Sequence, residues 1–185
     1  ESIIISPGDK ELYLCPSCFA DIPFTSLEID RNFSWQNGSE TQAPFGFAGT
    51  PPLARLVLGE RVTYLCKGSF EYCGNHFNEV VLSPNITSIE YASFWRFRNW
   101  NITELRLPEK LGLIGSMAFR ECSGIKSVVI PESIKLIGAS SFESCSSLES
   151  IEFEGSLEGV TVYREAFSWN RRLRQVTVKD VVPPV

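Results

Sequence analysis

The chain has one histidine, one methionine and no surplus of positive charge among its 185 residues. Each shortage removes a class of function. His76 stands alone, so no spaced set of His, Cys and carboxylate completes a four-ligand zinc site. No Gly-rich phosphate loop and no G-x-S-x-G elbow occur, so the phosphate-cradling and serine-nucleophile signatures are missing. Lys and Arg number 17 against 22 Asp and Glu, a net charge of -5. That is the wrong sign for a nucleic-acid surface, which needs clustered cations on a basic domain. No apolar run approaches the ~18 residues of a membrane-spanning helix. The chain opens at Glu1 with neither a methionine nor a charged-plus-apolar leader. A leader lost before this numbering is the expectation, and it is the one route by which a membrane would be involved.

What the chain has in abundance is repetition. Ile125 to Ser147 (IKSVVIPESIKLIGASSFESCSS) lies directly on Ile102 to Gly124 (ITELRLPEKLGLIGSMAFRECSG), a period of 23 residues. The apolar columns coincide: Leu105 with Val128, Leu107 with Ile130, Leu111 with Ile134, Ile114 with Ile137, Phe119 with Phe142. So do Pro108 with Pro131, Gly115 with Gly138 and Cys122 with Cys145. The register extends to Leu148, Ile151, Phe153, Leu157, Val162 and Phe167, then to a partial unit at Leu173, Val176 and Val178. Upstream it takes in Phe77, Val80, Leu82, Ile86, Ile89 and Phe94, and before them Leu53, Leu56, Leu58, Val62, Leu65 and Phe70. A period in this range marks a solenoid, whose units bury their apolar faces only against their neighbours.

The expected fold is therefore α/β and β-rich: a right-handed solenoid with a parallel sheet on one face and short turns or helical turns on the other. Residues 1–52 are expected to form an N-terminal cap and a degenerate coil, with a strand at Leu27 and Ile29 and a return through Phe45 and Phe47. Residues 53–178 form the regular coils and 179–185 a tail, all in one continuous domain. Within a coil, period-two alternation puts Leu105 and Leu107 inside and Glu104 and Arg106 outside. Pro108 ends the strand. The Ala118–Phe119 and Ser141–Phe142 segments are expected to be helical turns whose Phe enters the core. Cys73, Cys122 and Cys145 share a column with Phe97 and Asn170, so it must be interior, filled by a reduced thiol or by an amide bonded to backbone. Cys66 packs at a bend. Cys15 and Cys18 are expected to pack an N-terminal cap, with zinc disfavoured for want of further ligands.

The pattern in LPEKLGLIGSMAFREC and IPESIKLIGASSFESC resembles the BspA-like leucine-rich repeat, over about residues 53 to 178. The resemblance implies a cell-surface or secreted bacterial protein with adhesion or protein-binding roles. It brings no catalytic residues with it. Acidic pairs such as Glu149 and Glu152 fall on the outer side of a coil, where nothing encloses them to raise a pKa. No enzyme, metal or cofactor is expected.

Two surfaces are candidate sites. On the outer face of the sheet lie Arg55 and Val57, Glu79 and Val81, Glu104 and Arg106, Ser127 and Val129, Ser150 and Glu152, Gln175 and Thr177. The exposed valines suit either a mildly apolar contact patch or plain strand propensity. The other candidate is the insertion FWRFRNWN (Phe94 to Asn101), where Trp95, Arg96, Arg98 and Trp100 fall off the interior columns, with Trp169, Arg171 and Arg172 in a similar place later. Exposed Trp and Arg are binding hot-spot types; alternatively the rings fill gaps and the arginines stack on them. The expected partner is a protein, or a glycan if Trp95, Trp100 and Trp169 are exposed; the alternative is a structural spacer with no ligand of its own, and the chain is expected to be monomeric. The N-x-S/T sequons at Asn32, Asn37, Asn85 and Asn101 are taken as chance, given the bacterial resemblance.

Overall fold

Alternating side chains make each coil open with a strand that buries one row, and these strands stack in parallel. The structure is a computed structural model that describes residues 2–15, 18–19, 22, 24–35, 54–73, 78–98, 100 and 102–179. The first side of the solenoid carries β1 (Ser2–Ile5), β3 (Ser26–Ile29), β5 (Arg55–Leu58), β7 (Glu79–Val81), β9 (Glu104–Arg106), β11 (Ser127–Ile130), β13 (Ser150–Phe153) and β15 (Gln175–Val178). The second side carries β6 (Tyr64–Leu65), β8 (Ser88–Ile89), β10 (Leu113–Ile114), β12 (Leu136–Ile137) and β14 (Thr161–Val162). Near the N-terminus, β2 (Leu12–Leu14) pairs with β4 (Phe33–Trp35). Register follows the repeat: Val128 lies between Leu105 and Ile151, and Ile114 between Ile89 and Ile137. The second side runs unbroken from β6 to β14. The first side does not: it is two four-stranded sheets, β1-β3-β5-β7 and β9-β11-β13-β15.

The core is a file of rings. Phe70, Phe94, Phe119, Phe142 and Phe167 stack with centroids 5.4, 5.3, 5.0 and 5.5 Å apart and near-parallel planes. Coils one strand spacing apart (~4.8 Å) place identical side chains face to face, so stacking follows from the period itself. The mixed column behaves as its composition demands. The Cys122 thiol donates to Phe94 C=O and the Cys145 thiol to Phe119 C=O, both at 3.1 Å, and Asn170 Nδ2 donates to Phe142 C=O at 2.9 Å.

The expectation of helical turns around the phenylalanines does not hold; none of the described residues is helical. Instead, two left-handed residues bracket each Phe, as in Met117 (φ 58°) and Glu121 (φ 57°) around Phe119, or Ser140 and Ser144 around Phe142. The hydrogen bonds explain this. The N–H groups of Met117, Phe119 and Glu121 donate to the next coil at Ala139, Ser141 and Glu143 (2.8–2.9 Å), while those of Ala118, Arg120 and Cys122 bond three residues back. A helix would direct every N–H along its own chain. Satisfying alternate groups across coils requires the backbone to change hand.

At the N-terminus the structure adds a strand. Ile3 and Ile5 pair with Leu27 and Ile29, so β1 forms the outermost first-side strand. The expected return through Phe45 and Phe47 lies outside the described residues; among the described ones, Phe33 to Trp35 make the return.

Candidate functional site

Charged residues on the first-side face pair with opposite charges, on the neighbouring strand, on the same strand or two coils away. Arg55 bridges Glu28 on β3 and Glu79 on β7, the latter at 2.7 Å. Bonds to Glu28, then Glu79, raise its pKa and hold it charged. Arg106 pairs with Glu154 and, at 3.5 Å, with Glu104. Lys179 reaches Glu152. Each sheet half thus holds an arginine between two carboxylates. Val57 is half-buried between Glu28 and Val81, and Val81 is 42% exposed. Ser127 Oγ is tied to Thr103 C=O, and Thr177 accepts from Gln175.

Val129 does not belong to the exposed face. It lies between Arg106 and Glu152 in register, and the Arg106–Glu154 pair straddles β11, leaving Val129 4% exposed. Alternation aims Val129 outward; a long-range ion pair then covers it. Sequence reasoning missed Glu28, Glu154 and Lys179. Glu28 was within reach, since it alternates with Leu27 and Ile29. Glu154 and Lys179 needed the three-dimensional register.

The tryptophans do not act together. Trp100 is fully buried, against Phe97 at 4.9 Å and Phe94 at 5.7 Å, so it is core and not a contact residue. Trp95 is half-buried against Tyr72 at 5.4 Å, and the Arg96 guanidinium lies 5.2 Å from both rings. Arg96 also binds Glu121 at 2.9 Å, and Arg98 reaches the same carboxylate at 3.6 Å. The insertion's cations are thereby committed to holding coils together. Trp169, 68% exposed and at φ 62°, presents its ring to solvent.

The thiols divide by burial. Desolvation pushes Cys66 up to about 11 and Cys145 up to about 12, and raises Cys73 and Cys122 as well. Cys15 and Cys18 are free and exposed, and so do not pack a cap as expected. Because the thiolate is the reacting form, titration of the native chain with a thiol reagent at pH 8 is expected to give two fast equivalents, the slower of them Cys18, whose pKa desolvation also raises; partly buried Cys66 follows slowly, and buried Cys73, Cys122 and Cys145 react only on unfolding. Three or more fast equivalents would contradict the burial. His76 lies outside the described residues, as do Asn37 and Asn101. Asn32 is bonded to Thr63, and Asn85 to Glu60 C=O and Lys110.

Among the described residues no helix is long and apolar enough to cross a membrane. The sequence matches the family described as BspA type leucine rich repeat region, in six copies, over residues 12–96 and 40–174. Among solved structures the chain is similar to a leucine-rich repeat protein from Eubacterium ventriosum ATCC 27560, with 15% identity and a TM-score of 0.57, over 92% of this chain and 50% of that one. A leucine rich cell surface protein from Faecalibacterium prausnitzii A2-165 matches at 16% identity and a TM-score of 0.44, over 95% of this chain and 68% of that one. The chain thus spans half the length of the Eubacterium protein. No curated protein matches it.

Proposed function

The chain belongs to the BspA-type leucine-rich repeat family, and on that premise we propose that it is a non-enzymatic binding module, displayed on or released from a bacterial cell, that recognises a protein through its first-side face. The observation that carries this reading is the pair of arginine–carboxylate clusters, Glu28–Arg55–Glu79 and Glu104–Arg106–Glu154, held on strands with Val57 and Val81 beside the first. Side chains already ordered by their neighbours lose little further freedom on binding. A fixed pattern of both signs selects partners and orients encounter more than it adds affinity. One observation favours a second reading: the exposed Trp169 ring offers a flat surface on which a sugar could stack.

Probing an array of extracellular proteins and glycans with the labelled chain separates these readings. The expected result is a protein ligand whose affinity falls at least tenfold in an Arg55→Glu/Arg106→Glu variant, a cost of about 1.4 kcal/mol or more, with Trp169→Ala unchanged. A glycan ligand lost in Trp169→Ala overturns the protein reading. Silence throughout leaves a spacer without a ligand of its own.

A further inference from the structure

The first-side ladder fails between β7 and β9, and the reason lies in the corner that precedes β9. Phe97 and Cys122 are 25 residues apart, but Ile102 and Ile125 only 23, so the two extra residues enter between Phe97 and Ile102. One of them brings the Trp100 ring into the core, with the Trp100 backbone N–H donating to Ser123 C=O. Two large rings, Phe97 and Trp100, now fill a corner that Cys122 and Cys145 fill in the next coils. On the second side β8 and β10 still pair. On the first side the coils splay. Bonds such as Glu79 N–H to Ala54 C=O and Ser127 N–H to Thr103 C=O join the neighbouring steps; among the described residues none joins β9 to β7.

The opening is a cleft of about 590 Å³, walled by Val80 and Leu82 from one coil and Ile102, Leu105 and Leu107 from the next. Val80 and Leu82 occupy interior columns whose equivalents in the preceding coil, Leu56 and Leu58, are 0% and 1% exposed; here they are only partly buried. Two strand edges face the cleft with N–H and C=O rows that have no ladder partner among the described residues. Such edges are templates for an added strand.

The charges along the cleft have a direction. At the end where the strands begin, Glu104 has its nearest cation, Arg106, at 3.5 Å. At the end where they finish, Lys110 Nζ donates to Asn85 Oδ1 at 2.7 Å, linking the two walls, and forms no ion pair among the described residues. Glu109 stands beside it on the rim, and among the described lining residues Lys110 is the cation at this end. We propose that this cleft binds an extended peptide segment of a partner protein, which pairs as a parallel strand between β7 and β9. Its apolar side chains alternate into the cleft and a carboxylate at its downstream end meets Lys110. A segment of roughly three residues spans the three-residue edges at about 3.3 Å per residue, and one or two more carry its end to Lys110. The proposal rests on the reading of the chain as a protein-binding module and gives that module a second, peptide-specific site.

The test is selection from a library of random heptapeptides displayed with free C-termini, followed by fluorescence anisotropy of the selected peptides with the 185-residue chain. Expected are β-forming peptides with alternating apolar residues. Their affinity should fall at least tenfold on N-methylation of one central amide and with Lys110→Glu or Leu82→Lys, and stay unchanged with Arg164→Glu on the second side. Lys110 is exposed, so its variant keeps the fold even where Leu82→Lys does not. Loss on C-terminal amidation identifies the main-chain terminus as the carboxylate; loss on replacing an internal Asp or Glu identifies a side chain, and either supports the site. Failure to enrich any peptide, or binding indifferent to both Lys110→Glu and N-methylation, overturns it. If a protein ligand is still lost in Arg55→Glu/Arg106→Glu while no peptide binds, the cleft proposal falls and the face reading stands.

Discussion

Replacing Phe119 by alanine is expected to lower the unfolding free energy by about 3–5 kcal/mol, the range for truncating a buried aromatic. The ring is fully buried between Phe94 and Phe142, with interplanar angles of 11° and 8°. Its neighbours belong to different coils, so the cavity weakens two coil–coil interfaces. In a solenoid those nearest-neighbour interfaces are where cooperativity resides. Urea unfolding followed by circular dichroism should show a lower midpoint and, where the halves decouple, a smaller slope. Phe167→Ala is the internal comparison: its ring stacks on Phe142 alone among the file and is only partly buried. A Phe119 variant no weaker than the Phe167 variant would contradict the stacked-file account.

The second large effect is expected at Gly124. Its φ is +101°, and a Cβ built there would stand 2.1 Å from Trp100 O and 2.8 Å from its carbonyl carbon. Both obstacles are backbone, which cannot rotate aside. Gly124→Ala should therefore cost at least about 3 kcal/mol, combining a strained conformation of about 1–3 kcal/mol with displacement of the Trp100 turn. Gly159 is the control: φ +74° with nothing within 4 Å of its Cβ position. There alanine pays only for the left-handed backbone, about 1–2 kcal/mol. Thermal unfolding of the two variants side by side gives the difference, and equal losses would show that the contact with Trp100 is not the cause. Ser147 occupies the same column one coil later, so the need for glycine arises from the insertion and not from the repeat.

The two glycines show where the sequence stops being informative. Local periodicity determined the solenoid, the paired columns, the Phe file and the interior role of the Cys–Asn column. A coil can bury its apolar residues only on its neighbours, so matching columns in sequence must become matching layers in space. The outward residues of the strands were legible for the same reason, Val129 excepted, because the period of two assigns faces directly. Tertiary structure alone decided the rest. Trp100 is core because the extra residues let the chain fold back into the corner beside Phe97, a matter of volume that no spacing rule encodes. The turns around each Phe reverse hand because alternate N–H groups are claimed by the next coil. Val129 is covered by an ion pair between residues 48 apart in sequence, and the first side splits between β7 and β9 through the packing of adjacent coils. Periodicity dictates which residues face inward; packing between coils decides how closely they approach, and therefore where the surface opens.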